Sequence, residues 1–500
     1  MPRPDQAPAA SLKSLCLTNI AVHADSLWCR NFLEHYYGTA HFLYVLGPWD
    51  ELPAPLLAEL WAEMRRRKLL RRHHAYLLIS PWARRLDLSG CGEADIGLQL
   101  TLAAQRCSRL TELELFQCRL PREQFSRALA GMTGMTKLGL AHTNTTDPQL
   151  GLLGTACPNL TSLDLSYCGQ VTDRGLVCLV DAVDPDGRPD PRFGKCERLV
   201  RLVLTGCPGP GLAGVQRMLV RLPHIVTLDW PDTAGAVAGL LETGQLDSSL
   251  LLSGLQCEGG SKAVLSFALS ACPRVSRLTV AAAGCETEPG LLAALDLRTD
   301  LEELLLYGEP GGGTGHSWWE GEVSPLLRAR GECLVRLELA ELASVEIQLL
   351  AASCPALSHL ALLWNSRYFV PASPGPPRTF PDLKSCRLAI IGPDCDIPGP
   401  ELLSVLASPR LAILQLTQSS SLTDYVWCEA GRLGGLGSLE TLELLNCNMI
   451  SYEVISDILS EENRLEEVKF NRCEQIPRKD VEKLRKKVKS RKWKLKIDWS

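Results

Sequence analysis

The 500-residue sequence lacks the patterns that mark most enzyme active sites. It has no Gly-x-x-x-x-Gly-Lys-[Ser/Thr] phosphate loop, no Gly-x-Ser-x-Gly elbow, no Cys-x-x-Cys pair and no histidine pair at metal-ligand spacing. The glycine-rich stretch 311–315 is not followed by a lysine, which favours a flexible loop over a phosphate site. The sequence therefore predicts a non-catalytic protein without a cofactor or a metal.

Membrane and nucleic-acid roles are also disfavoured. No run approaches the roughly 20 uncharged apolar residues of a membrane span, and the opening Met-Pro-Arg-Pro-Asp has no apolar signal core. The net charge of −5 argues against non-specific binding to the phosphate backbone of nucleic acids. The 20 cysteines, without a signal peptide, favour a reducing compartment. We therefore expect a cytoplasmic protein, and its Lys/Arg runs leave a nuclear location open.

From about residue 84 onwards the chain repeats one frame, Cys-x-x-Leu-x-x-Leu-x-Leu-x-x-Cys. The clearest copy runs from Cys157 to Cys168, and most copies are about 26 residues apart. Leu-x-Leu has a period of two, so both leucines of a short strand point inward, and an apolar segment then returns as a helix. Further copies close at Cys118, Cys207, Cys447 and Cys473.

This frame resembles the cysteine-containing leucine-rich repeat subtype, which is familiar from F-box ubiquitin ligase receptors. The resemblance covers roughly four-fifths of the chain. It implies an α/β horseshoe solenoid over residues 81–475, with most of the leucines and cysteines in its core. Residues 476–500 are predicted to form a C-terminal cap, which begins with a basic helix that turns Val481, Leu484 and Val488 inward.

Near the N-terminus, the string 11–20 fits the pattern [Ser/Thr/Pro]-Leu-x-x-x-Cys-x-x-x-aliphatic. Leu12, Cys16 and Ile20 recur every four residues, so a helix places them along one stripe, which Leu15 widens. A narrow apolar stripe with a small cysteine at its centre suits insertion into a partner's groove. The string resembles the BC box, the elongin C-binding helix of cullin-RING ubiquitin ligase receptors.

A second apolar stripe follows in the segment 52–64. Pro53 stands at a helix entry, where its missing N–H is harmless, and spaced aliphatic residues follow it. This segment resembles the cullin box. Together the two motifs resemble the VHL box of elongin–cullin-2 receptors and predict a small helical domain over residues 1–80. The combination with leucine-rich repeats resembles the zygotic-defective (Zyg/Zer) family, but without its armadillo-type repeats.

The resemblance implies the substrate-recognition subunit of an elongin BC–cullin-2 RING ubiquitin ligase. Its implied partners are elongin C with elongin B, cullin-2 and a protein substrate, with no nucleic acid and no membrane. The implied elongin-binding residues are Leu12, Leu15, Cys16 and Ile20. The implied cullin-binding residues are Leu52, Pro53, Leu56 and Leu60.

A substrate patch is predicted over about residues 304–430. Strand residues beside the inward leucines face the concave surface, which is the usual docking face of this fold. Insertions at 307–321, 363–381 and 417–434 carry aromatic residues, which are costly to expose unless a partner covers them. Alternatively, these loops fold back and bury their aromatic rings in a local core. The candidates are Leu305, Tyr307, Trp318, Trp319, Trp364, Tyr368 and Phe369.

Two other functions fit the same sequence. The first is an F-box receptor, because Leu52-Pro53 faintly resembles an F-box start, although the segment that follows is short for one. The second is a non-ligase scaffold or inhibitor, in which residues 1–80 only cap the first repeat. The orientation of Leu12, Cys16 and Ile20 distinguishes a capping helix from a recruiting helix, because a cap buries this stripe and a recruiting helix leaves it exposed.

Overall fold

The structure is a computed structural model of the chain. It forms two compact units, residues 1–252 and 253–500. None of the described helices combines the length and the apolar character needed to cross a bilayer. The structure describes residues 12–36, 47–91, 93–184, 186–190, 196–246, 248–259, 261–281, 290–297, 300–308, 318–370, 377–392, 395–458, 464–491, 493 and 495–500.

The first unit opens with four short helices, α1 (Leu12–Val22), α2 (Arg30–His35), α3 (Ala54–Arg66) and α4 (Arg72–Leu78), with a π-helical turn at Ala24–Trp28. The six consecutive residues 73–78 of α4 are all buried. An ion pair of 2.5 Å between Arg65 Nη1 and Asp87 Oδ2 ties the end of α3 to the first repeat. The helices α3 and α4 therefore close the exposed end of the repeat stack.

Six parallel strands follow in the first unit, in the order of the chain. Their central residues pair in one register, so six leucines form a continuous buried row: Leu86, Leu113, Leu138, Leu163, Leu202 and Leu228. The strands are β1 (Arg85–Asp87), β2 (Glu112–Glu114), β3 (Lys137–Gly139), β4 (Ser162–Asp164), β5 (Arg201–Val203) and β6 (Thr227–Asp229). The helices that return are α5 (Glu93–Arg106), α6 (Arg122–Ala130), α7 (Asp147–Ala156), α8 (Asp173–Val180), α9 (Leu212–Arg221) and α10 (Thr233–Glu242).

The second unit holds ten parallel strands, again in chain order and longer than those of the first unit. They are β7 (Gly254–Glu258), β8 (Arg277–Ala281), β9 (Glu303–Tyr307), β10 (Arg336–Ala340), β11 (His359–Leu363), β12 (Ser385–Ala389), β13 (Ile413–Thr417), β14 (Thr441–Leu445), β15 (Glu467–Asn471) and β16 (Lys496–Trp499). The α-helices are α11 (Lys262–Ala271), α12 (Ser324–Arg330), α13 (Ile347–Ser353), α14 (Gly399–Leu406), α15 (Asp424–Arg432), α16 (Tyr452–Ile458) and α17 (Arg478–Ser490). Shorter helical turns lie at Leu291–Leu297, Trp319–Val323 and Gly331–Cys333.

Where a cysteine or Asn365 closes the repeat frame, its side chain bonds backward to the preceding repeat. The thiol of Cys168 lies 3.0 Å from the carbonyl oxygen of Leu140, and the thiol of Cys118 lies 3.1 Å from that of Leu88. Asn365 occupies the same position in the second unit, where its amide donates to the carbonyl oxygen of Leu339 at 3.1 Å. Every cysteine that the structure describes is a free thiol. The prediction of an α/β leucine-rich-repeat fold with buried cysteines at one position is confirmed.

The C-terminal end continues the repeat. Helix α17 buries Val481, Leu484 and Val488, the three residues expected to point inward. After it, β16 pairs with β15 as the last strand of the sheet. The segment after residue 476 is therefore a modified repeat whose basic helix carries its charges on the solvated side.

Candidate functional site

The predicted elongin-binding stripe lies on the outer face of α1. Leu12 is 79% exposed, Leu15 is 55% exposed, and Cys16 is also exposed. Ile20 is half-buried. Ser11, the expected helix cap, falls outside the described residues. Three of the four predicted residues are therefore open to a partner.

The opposite face of α1 packs against α3. Leu17 and Ala21 are buried there, and polar contacts flank them. Lys13 Nζ lies 2.6 Å from Glu59 Oε1, and the Thr18 hydroxyl donates to Glu63 Oε1 at 3.0 Å. Hydrogen bonding from Arg67 lowers the pKa of Glu63 to about 2, so this carboxylate stays charged. These contacts hold α1 by one face and leave the stripe outward.

The predicted cullin-binding residues divide between the surface and the core. Pro53 is exposed, and Leu52 and Leu56 are half-buried. Leu60 has no exposed surface. It belongs to the inward stripe of α3, with Leu57, Trp61 and Met64. The prediction that Leu60 contacts a cullin is therefore wrong for this structure, since the spacing that forms the stripe turns it into the helical core.

A polar cluster ties the turn after α1 to α4. His73 Nε2 and His74 Nε2 each lie 2.7 Å from Asp25 Oδ1, and Arg71 Nη1 lies 2.8 Å from Asp25 Oδ2. Both histidines are buried. Asp25, His73 and His74 have ligand atoms close enough together to hold a metal ion. Within the described part of the chain, no other set of three histidine, cysteine or carboxylate side chains does. Their separations are those of hydrogen bonds, so the cluster acts as a structural tie.

Sequence reasoning missed this tie, because Asp25 and the histidine pair are far apart along the chain. The adjacent His73 and His74 stand beside arginines in the sequence, which suggests only a basic surface. No local pattern identifies their shared carboxylate. Burial lowers the pKa of His74, so this ring is held neutral at pH 7.

The predicted substrate residues of β9 lie on its solvent-facing side. Leu305 and Tyr307 are both half-buried, and the Tyr307 hydroxyl donates to Glu338 Oε1 at 2.8 Å. Tyr307 also packs against the buried cluster of Ala340, Leu363 and Ala389. The strand register places these residues side by side at the ends of β9 to β12. Tyr307, Ala340, Leu363 and Ala389 therefore form an apolar row across the C-terminal ends of these four strands.

The aromatic candidates also divide between surface and core. Trp364 and Phe369 are each 43% exposed. Trp318 is half-buried, whereas Trp319 and Tyr368 are only 3% and 9% exposed. The prediction that Trp319 and Tyr368 bind substrate is therefore wrong for this structure, because their segments fold back and bury both rings.

The third predicted insertion is not an insertion. Residues 417–434 contain α15, which is the returning helix of its repeat and buries Trp427. Parts of the other two insertions, 309–317 and 371–376, lie outside the described residues.

Similar solved structures share low sequence identity with this chain. The Rad7 and Elc1 complex of yeast matches at 14% identity and a TM-score of 0.42, covering 94% of this chain and 96% of that one. An internalin of Listeria monocytogenes matches at 12% identity and a TM-score of 0.29, covering 89% and 94%. A protein of Bacteroides fragilis matches at 14% identity and a TM-score of 0.29, covering 45% of this chain and 65% of that one.

Comparison with sequences identifies one repeat. No curated protein matches the chain. The family described as Leucine Rich repeat matches residues 156–180, which contain β4 and α8. The matched repeat and the two parallel sheets alternating with helices fit an α/β leucine-rich-repeat solenoid.

Proposed function

We propose that this protein is the substrate-recognition subunit of an elongin BC–cullin-2 RING ubiquitin ligase. In this proposal α1 binds elongin C, the segment 52–56 contacts the cullin, and the repeats hold the substrate. The protein supplies no catalytic group. It contributes proximity, because a bound substrate is held near the ubiquitin-loaded enzyme.

The exposure of the α1 stripe carries the proposal. Helix α1 leaves Leu12 and Leu15 in solvent while Leu17 and Ala21 are buried, so its apolar stripe does not face the core of its own chain. Covering a leucine side chain stabilises a complex by about 1.5–3 kcal/mol. A helix that served only as a cap would turn this stripe toward the first repeat, and here α3 and α4 have that role.

The position of the second motif supports two neighbouring contacts. Helix α1 packs directly on α3, and Pro53 immediately precedes α3. Leu52, Pro53 and Leu56 retain exposed surface. An elongin bound to α1 and a cullin bound at the start of α3 therefore share adjoining surfaces of one helical segment.

The experiment is a binding assay with purified proteins. Immobilised elongin B–C complex is exposed to the wild type and to the double variant Leu12→Ala/Cys16→Ala. We expect the double variant to bind at least about tenfold more weakly, since two central contact side chains are removed. Leu27→Ala is the matched control, because Leu27 is 66% exposed and lies outside the stripe.

A second arm tests the cullin contact. Leu52→Ala/Leu56→Ala is expected to keep elongin binding and to lose recruitment of cullin-2 to the preformed complex. Failure of the wild type to bind elongin B–C contradicts the ligase assignment. Equal binding by the wild type and the stripe variant contradicts the role of α1.

A further inference from the structure

Three aromatic rings form a ladder beside the strands of the first unit. Phe116, His142 and Tyr167 follow β2, β3 and β4. The rings of Phe116 and His142 meet edge to face, with centroids 5.2 Å apart. The rings of His142 and Tyr167 are stacked, with centroids 4.4 Å apart and planes 11° apart.

The turn after each strand creates this ladder. His142 and Tyr167 both have a φ of 56°, in the left-handed region that side chains other than glycine rarely adopt. Their amides donate to the next repeat at 2.8 Å, to Ser166 O and Thr205 O. At the following turn, a Cβ on Gly206 would lie 2.5 Å from two ring carbons of Tyr167. The missing side chain lets the tyrosine ring lie across that turn.

The ladder is open to solvent. Tyr167 is 53% exposed and Phe116 is 37% exposed, and His142 is also exposed. Adjacent exposed rings on a repeat surface are typical of partner-binding sites, since aromatic side chains dominate the binding energy of interfaces. Nothing in the core requires these rings, because the inward leucines already fill it.

Two carboxylates lie on the strands that lead into the ladder, Glu114 on β2 before Phe116 and Asp164 on β4 before Tyr167. The register places Glu114 of β2, Gly139 of β3 and Asp164 of β4 side by side. A Cβ on Gly139 would lie 2.2 Å from both carboxylate oxygens of Glu114, so this carboxylate extends over the glycine. Burial, together with the negative charges of Asp87 and Asp164, raises the pKa of Glu114, and the charge of Arg85 offsets only part of this effect. A cation placed here would relieve that repulsion.

The nearby cations are already paired with other carboxylates. Lys137 Nζ lies 2.9 Å from Glu112 Oε1, and Arg85 Nε lies 3.7 Å from Glu112 Oε2. Arg201 Nη2 lies 3.6 Å from Asp229 Oδ2. Within the described ranges, neither Glu114 nor Asp164 has an ion-pair partner, and Asp164 accepts hydrogen bonds from the amide and hydroxyl of Ser166. The surface therefore combines exposed rings with two carboxylates that form no ion pair within the described residues.

We infer that this surface binds an arginine side chain in an extended segment of the substrate protein. The guanidinium pairs with Glu114 and lies against the aromatic ladder. Arginine suits both features, because its planar group forms bidentate hydrogen bonds with carboxylates and stacks on aromatic rings. The inference rests on the proposed function only in naming the segment as part of the substrate.

The test is fluorescence anisotropy with the full-length protein and a labelled peptide, Gly-Ser-Ala-Arg-Ala-Arg-Ala-Ser-Gly. Matched peptides carry lysine or the neutral isostere citrulline in place of arginine. We expect Glu114→Gln and Tyr167→Ala each to weaken binding of the arginine peptide about fivefold. Higher salt is expected to weaken binding by the wild type more than by Glu114→Gln.

Two control variants test whether removing any exposed ring or any exposed carboxylate has the same effect on peptide binding. Tyr425→Ala removes a ring that is 75% exposed in the second unit. Glu123→Gln removes a carboxylate whose side chain is 82% exposed on α6. Both controls are expected to bind the arginine peptide as the wild type does. Should Tyr167→Ala fail to fold, Glu114→Gln carries the test, since it preserves the shape of the side chain.

Three results would overturn the inference: no binding of the arginine peptide, equally tight binding of the lysine or citrulline peptide, or unchanged binding by Glu114→Gln. The assay contains no elongin. Its failure therefore leaves the elongin binding assay intact, and a failed elongin assay leaves the peptide result standing.

Discussion

Helix α1 and the repeats use the same residue types in opposite ways. In the repeat centred on β4, Leu163 and Cys168 have no exposed surface. In α1, Leu12 and Leu15 lie mostly in solvent and Cys16 is exposed. Stacked repeats bury their leucines against neighbouring repeats, whereas the outer face of α1 has no neighbour in the described chain. The repeats therefore bury this residue pattern in their own core, whereas α1 leaves it in solvent, as the proposed elongin-binding helix requires.

The two regions are also held by different forces. The repeats depend on continuous apolar rows, such as the one through Leu163. The region around α1 has a small buried face and is fixed by polar ties. One runs through Glu63 on α3, and the other joins Asp25, in the turn after α1, to His73 and His74 on α4. Polar contacts can hold a helix in place without burying its apolar residues. This explains how α1 can pack against α3 while its apolar stripe stays exposed.

The largest expected effect comes from the repeat core. Leu163→Ala leaves a cavity in a closely packed row and is expected to destabilise the protein by about 2–5 kcal/mol. Leu12→Ala removes a side chain that is 79% exposed and is expected to change stability by less than about 0.5 kcal/mol. Urea unfolding followed by circular dichroism measures both. A similar decrease in the free energy of unfolding for the two variants would contradict the contrast between the buried repeat core and the exposed stripe of α1.

A smaller effect is expected from pH in the α1 region. Burial lowers the pKa of His74 below its unfolded value of about 6.5. The stability that neutral His74 contributes is therefore complete above that value and is lost as the pH falls through the folded pKa. When the pH is lowered from 7.5 to 5.5, the protection factors of the amides in α1 and α4, which are corrected for intrinsic exchange rates, are expected to fall more than those in the strands of the first unit.

The matched variant for this prediction is His74→Gln, which keeps a polar donor near Asp25 and removes the titration. Its exchange in α1 should depend less on pH than that of the wild type. An identical pH response in both proteins would show that the histidine tie does not set the stability of this region.

The repeat core could be predicted from the sequence because it depends on residue spacing within single strands and helices. The Leu-x-Leu frame fixes which strand residues face inward, and the spacing of Val481, Leu484 and Val488 fixes the inner face of α17. The outward direction of the α1 stripe does not follow from the sequence, since the same amphipathic spacing fits a cap and a recruiting helix.

The burial of individual aromatic and polar residues could not be predicted in this way. Trp319, Tyr368 and Trp427 are large apolar rings that suit both a surface patch and a local core, and the path of the surrounding chain decides between them. The inward turn of Leu60 depends on where α3 lies against α1. The ladder of Phe116, His142 and Tyr167 depends on left-handed turns that the repeat frame does not specify.

Protection of Cys16 tests the central claim most directly. The described cysteines Cys16, Cys333 and Cys428 are all exposed, so iodoacetamide should modify the three in the native protein, as mass spectrometry can measure for each site. The account predicts that elongin B–C slows the modification of Cys16 at least about tenfold and leaves Cys333 and Cys428 unchanged. Modification of Cys16 at the same rate with and without saturating elongin B–C would contradict it.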